Sequence, residues 1–154
     1  MPRAAAESPL VSWTSRSLSV FGKQVRRVRD EALPAKTRLI AFVVALDAFG
    51  WRTNQDAGRV LDRLGSALGF DRERPPSVVQ ALEAVAVMER QRNTYVEHER
   101  GFTRRRIREK ARGQRTVSVT DRQRWLSRSD YAAVPPKTRV AWGLPPGVPA
   151  RRSS

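Results

Sequence analysis

Apolar residues recur along this chain at three- and four-residue steps, and prolines and glycines interrupt the runs where a helix would have to stop. Leu18, Phe21, Val25 and Val28 form the first run, with Lys23, Arg26, Arg27 and Arg29 on the surface between them. That pattern predicts a short basic amphipathic helix within residues 15–34, broken by Pro34. A second helix starts at Ala35 or Lys36 and is expected to reach Phe49. Leu39, Ile40, Phe42, Val43, Val44 and Leu46 make it apolar nearly all round, as a central core helix would be. Gly50 followed by Trp51 fits a left-handed cap with an apolar residue folding back. Thr53 with Asp56 has the chemistry of a helix start, and Ala57, Val60, Leu61, Leu64 and Leu68 trace one face of a third helix, which Gly69 and Phe70 close. Ile40, Val43, Leu46, Leu61, Leu64 and Leu82 are the expected core.

Beyond Phe70 a charged turn leads to Pro75 and Pro76, which suit the first turn of a fourth helix carrying Val78 or Val79, Leu82 and Val85. From Val87 two predictions compete. Val87–Arg92 and Tyr95–Arg100 around Asn93-Thr94 have the layout of a short β-hairpin, whereas intrinsic propensity slightly favours one helix from Pro76 to Asn93. Residues 101–126 form an Arg-rich segment, with Val117–Val119 as a candidate strand and a last short helix opened by Thr120 and Gln123. Residues 1–14, rich in Ala, Pro and Ser, and 127–154, rich in Pro, are expected to be extended arms. One echo stands out: Ala32-Leu33-Pro34-Ala35-Lys36-Thr37-Arg38-Leu39 resembles Ala133-Val134-Pro135-Pro136-Lys137-Thr138-Arg139-Val140. With no periodic repeat beside it, coincidence between two short Pro-led helix starts accounts for it without a duplicated domain.

Charge changes the picture. The 154 residues carry 30 Lys+Arg against 15 Asp+Glu, a formal +15. Such a charge repels itself in a compact fold and points to a polyanionic partner. Lys23, Lys36, Lys110 and Lys137 are the only lysines, and the arginine bias suits bidentate contacts to phosphate and guanine. A GC-rich coding sequence also produces an arginine excess, though not a net charge. Cysteine is absent, which excludes disulfides and thiolate metal sites. No apolar run approaches the ~20 residues of a membrane span, and Met1–Glu7 lacks a signal core, so a cytoplasmic location is expected and no membrane partner.

Catalytic chemistry is poorly represented. His98 is the single histidine, so a His-paired triad or His-rich metal centre cannot be assembled within one chain. Glu97, His98 and Glu99 read as a solvated surface and not a ligand set, and no Gly-rich phosphate loop occurs. No enzyme, cofactor or metal is expected. Binding chemistry is richer. Arg104, Arg105, Arg106, Arg108, Lys110, Arg112 and Arg115 follow one another with a single acid, Glu109, from Arg104 to Arg115. On a helix they would lay positive charge along a phosphate backbone or into a groove. Tyr95, Phe102, Trp125, Tyr131 and Trp142 lie among arginines, placed either to stack on bases or to anchor segments to the domain.

The succession Lys36–Phe49, Trp51-Arg52-Thr53, Ala57–Leu68, Pro76–Ala86 and Val87–Arg100 resembles a winged-helix DNA-binding domain. The resemblance implies three helices and a two-stranded wing over residues 35–100. It also implies that Arg74, Ser77 and Gln80 face bases and that Arg90, Arg92 and Arg100 face phosphates. The expected fold is therefore mainly α: a compact, winged-helix-like core, with or without a hairpin, between basic arms. The expected function is nucleic-acid binding, DNA first, as a transcription regulator or a phage or plasmid accessory protein. Two alternatives share the chemistry: an RNA- or ribosome-binding protein, and a structural component of a large viral assembly or homo-oligomer whose tails dock on neighbours.

Overall fold

The computed structural model describes residues 20–113 and 131–146, and all regular structure among them is helical. Helix α1 covers residues 20–29 of the described chain and buries Phe21, Val25 and Val28. It ends short of the predicted boundary because the Asp30 side chain accepts from the Ala32 amide (3.0 Å) and turns the chain before Pro34.

Helix α2 (Ala35–Thr53) is the centre of the packing. Pro34 opens it, with its carbonyl accepting from the Arg38 amide at 3.1 Å. The expected stop at Gly50 is overturned. The helix runs on to Asn54, which takes the left-handed conformation (φ 54°). Gly50 serves close approach instead: a Cβ there would lie 2.7 Å from the Gln55 carbonyl. Ile40 is also not core, being 38% exposed, whereas Phe42, Val43, Leu46 and Phe49 are fully enclosed. In a helix apolar nearly all round, the face toward solvent is set by its neighbours.

Helix α3 (Ala57–Leu68) is amphipathic and buries Val60, Leu61 and Leu64. Asp56 caps it by accepting from the Gly58 and Arg59 amides (2.8 and 3.3 Å), and Gly69 (φ 96°) ends it as predicted. The turn that follows is pinned by the Asp71 carboxylate, which accepts from the Glu73 and Arg74 amides at 2.9 and 2.7 Å. Those bonds hold its pKa below the ordinary aspartate value.

Helix α4 (Val78–Ala111) overturns the hairpin and with it the two-stranded wing over residues 87–100. No Pro or Gly occurs between Pro76 and Gly101, and Met, Glu, Arg and Gln are strong helix formers. The supposed Asn93-Thr94 turn is absorbed: the Thr94 hydroxyl donates back to the Arg90 carbonyl (3.1 Å). At 34 residues and ~1.5 Å each, α4 is about 50 Å long. Its core contacts come early, at Ala81, Ala84, Val85 and Met88, and Leu82 is only partly buried. The predicted boundary at residue 100 falls inside this one helix.

The C-terminal segment is the other correction. Residues 131–146 are not an extended arm; they form a strap across the core, with helix α5 (Pro136–Ala141) in its middle. Trp142 stacks on Phe42 (centroids 6.4 Å apart), meets Phe70 edge-on, and donates its Nε1–H to the Asp71 carbonyl (3.0 Å). The Val134 amide donates to Asp47 at 2.8 Å, Arg139 pairs with the same carboxylate, and the Ala57 amide donates to the Ala132 carbonyl (2.7 Å). Val134, Trp142 and Leu144 join the core. The echo is structural as well as literal: Pro34 and Pro135 open α2 and α5 with nearly the same backbone (φ −59°, ψ 149° and φ −59°, ψ 142°). The expected arm at 1–14, the strand at 117–119 and the helix from Thr120 lie outside the described residues.

Candidate nucleic-acid interface

Helices α2 and α4 run side by side in the same direction. Ala35, Leu39, Val78 and Ala81 surround one cleft at their first ends. At the other end Arg52, in the last turn of α2, pairs with Glu99 at 2.5 Å and lies 5.5 Å from the Tyr95 ring centroid. From Arg100 onward α4 has passed the end of α2. About three further turns, roughly 18 Å, carry no residue of the core.

Most of the predicted phosphate-binding residues lie on this overhang. Arg100 is exposed and pairs with Glu97 one turn back (3.4 Å), and Arg105 pairs with Glu109 (3.2 Å). Arg104, Arg108, Lys110 and Arg112 are exposed and have no acidic partner among the described residues. Arg104, Arg108 and Arg112 also follow at four-residue intervals, the spacing at which like charges repel on a helix. A polyanion relieves that repulsion. Phe102, Arg106 and Glu109 share a half-buried face. Arg115 lies outside the described residues.

Other predicted site residues are elsewhere. Arg90 is exposed on the core-bound part of α4. Arg92 is half-buried with its guanidinium 5.1 Å from the Phe21 ring centroid. Burial and the neighbouring Arg52 hold its pKa below the ordinary arginine value, against the pull of Glu89. Arg92 thus closes the seam between α1 and α4 instead of facing phosphate.

The supposed base readers form a cap. Ser77 accepts from the Gln80 amide (3.2 Å), and the Gln80 side-chain oxygen accepts in return from the Ser77 amide (2.8 Å). The other end of the Gln80 side chain donates to the Leu68 carbonyl at 2.9 Å, joining the end of α3 to the start of α4. Gln80 is therefore committed within the chain at both its polar atoms. Arg74 is exposed, 3.9 Å from Asp71. Gln80 and the first overhang residue, Arg100, are about 30 Å apart along α4, with Arg74 and Ser77 farther still, too far to form one compact footprint.

The aromatics divide in the same way. Tyr95, Tyr131 and Trp142, candidates for stacking on bases, are used for packing, with Tyr131 edge-on to Trp51 at 5.0 Å. The cleft at the first end of α2 and α4 holds about 320 Å3 and is lined mainly by apolar residues, with Lys36 and Arg38 as its charged groups among the described residues. Among the described residues no group of three His, Cys, Asp or Glu side chains is placed to hold a metal ion, and no helix is long and apolar enough to cross a membrane.

The ion pair Arg52–Glu99, beside the root of the overhang, is a contact that sequence reasoning missed. It fixes where α4 leaves the core, and its partners are 47 residues apart with no local signal. Comparison of the chain with family models, curated proteins and solved structures returns no match.

Proposed function

We propose that this protein binds nucleic acid, DNA by preference, through the cationic overhang of α4, and that the helical core serves to hold that overhang at a fixed angle. One observation carries the reading: three turns of helix project past the core, and Arg104, Arg108, Lys110 and Arg112 are exposed there with no acidic partner among the described residues. The half-buried side of this segment, Phe102, Arg106 and Glu109, adds no residue to the core cluster, so the sequence of its exposed side answers to something outside the core. A duplex carries one phosphate per ~1.7 Å of axis, so the ~18 Å overhang spans roughly ten phosphates. The formal charge of +15 adds long-range attraction to the same partner.

The test is a salt series of binding to a 20-bp duplex by fluorescence anisotropy, for the full chain and for Arg104→Gln/Arg108→Gln/Arg112→Gln. The wild type should show a steep negative log–log slope, and the triple variant should lose roughly 0.9 of slope for each phosphate contact removed. A flat salt response, or an unaltered slope in a variant with unaltered helicity, would refute the proposal.

A further inference from the structure

We infer that the overhang docks lengthwise in the major groove of B-form duplex DNA and does not lie along the outside of the backbone. This rests on the nucleic-acid reading above and narrows it to one duplex form and one groove. The first support is angular. At about 100° per residue, Lys110, Arg100, Arg104, Arg108, Arg112 and Arg105 are spread over an arc of about 220°. The remaining arc holds the half-buried Phe102, Arg106 and Glu109. A helix lying on a flat surface presents only about 100° of its circumference, so an outside contact would leave Lys110 and Arg100 unused even when it takes the other four. A groove with a phosphate wall on each side uses the whole arc.

The second support is what lies among the cations. Ile107 is 63% exposed within the arc, between Lys110 and Arg100 and close in angle to Thr103 and Ala111. Phosphate contact gives such a side chain no purpose. A groove floor does, because thymine methyl groups offer an apolar contact there. Arg104 and Arg108 point toward the centre of the arc, in place for the O6 and N7 acceptors of guanine, whereas Lys110 and Arg112 flank them toward the walls. Size agrees: a helix with its side chains is about 10–12 Å across, and the B-form major groove is about 12 Å wide. The A-form RNA major groove is too deep and narrow to admit side chains to the base edges.

The experiment uses the unaltered chain and three 16-bp probes at one salt concentration. They are a mixed-sequence DNA duplex, the same duplex with its major groove filled by glucosylated 5-hydroxymethylcytosine, and an RNA duplex of the same sequence. Phosphate number is equal in all three. The filled duplex and the RNA should each bind at least about tenfold more weakly than the plain DNA, the loss expected when base-edge contacts are removed. Equal binding of the plain and filled duplexes overturns groove docking and leaves phosphate binding intact. RNA binding equal to or tighter than DNA overturns the choice of duplex form. Absence of binding to all three overturns the underlying nucleic-acid reading together with this one.

Discussion

Replacing Gly101 by Ala should tighten the overhang without touching the core. Gly101 is the one glycine inside α4 and stands at the root of the projecting turns. A Cβ built there meets nothing within 4 Å, so the substitution introduces no clash. Its effect is therefore the intrinsic one, a gain of about 0.8–1.0 kcal/mol in helix propensity from the smaller backbone entropy loss of alanine. One kilocalorie per mole is roughly a fivefold change in an equilibrium constant, so the opening of the last turns should become about fivefold rarer. Amide hydrogen exchange of residues 102–111 reads that directly, and exchange at Phe42 and Leu46 serves as an internal control that should not move. Where the bound form is a straight helix, affinity for duplex DNA should rise by up to the same factor. Unchanged exchange over 102–111 would refute the view that propensity governs this segment. Faster exchange would do so more strongly, and slower exchange with weaker binding would show that the bound form bends at Gly101.

Three further outcomes follow from the packing. Phe42→Ala should cost about 3–5 kcal/mol and Leu61→Ala about 2–5 kcal/mol in denaturant unfolding, whereas Ile40→Ala should stay within about 0.5 kcal/mol of wild type, since Ile40 is 38% exposed. Gln80→Ala should lose about 1–2 kcal/mol of stability by breaking the cap and the bond to Leu68, and should leave the preference between DNA sequences unaltered. Burial holds the Asp47 pKa above its ordinary value, against the Val134 amide and Arg139, which lower it. The folded chain thus binds that proton more tightly than the unfolded one. The contribution of Asp47 to stability should fall as pH rises through the window between the ordinary and the raised value. An NMR titration of the Asp47 carboxyl should show the raised midpoint, and Arg139→Ala should move it further up; a midpoint at or below the ordinary value refutes the assignment.

Periodicity was sufficient where a helix has one apolar face. Phe21, Val25 and Val28 in α1 and Val60, Leu61 and Leu64 in α3 are buried as their spacing requires. It failed at Ile40 because α2 offers apolar side chains on every side and only its neighbours choose among them. The Asn93-Thr94 pair carried local turn chemistry, which lost to some twenty residues of helix-forming sequence without a breaker. The strap was illegible because six helical residues show no period, and its anchors, Asp47 and Arg139, are 92 positions apart. At the candidate site the cations themselves were plain. Their projection past the core was not, because it depends on where α2 ends beside α4, and Arg52 and Glu99 settle that only in the folded chain.

The strap also sets an order of events during synthesis. A ribosome releases the chain from its N-terminus, so all of α4, with its cationic end, emerges before residues 131–146 leave the ribosome. Until then Phe42 and Phe70 lack the Trp142 ring that covers them, and Asp47 lacks both the Val134 amide and Arg139. The nascent protein consequently displays its full positive arm while its hydrophobic interior is still unsealed. Its completion is a late, long-range closure, the kind of contact that folds slowly and leaves a sticky intermediate waiting.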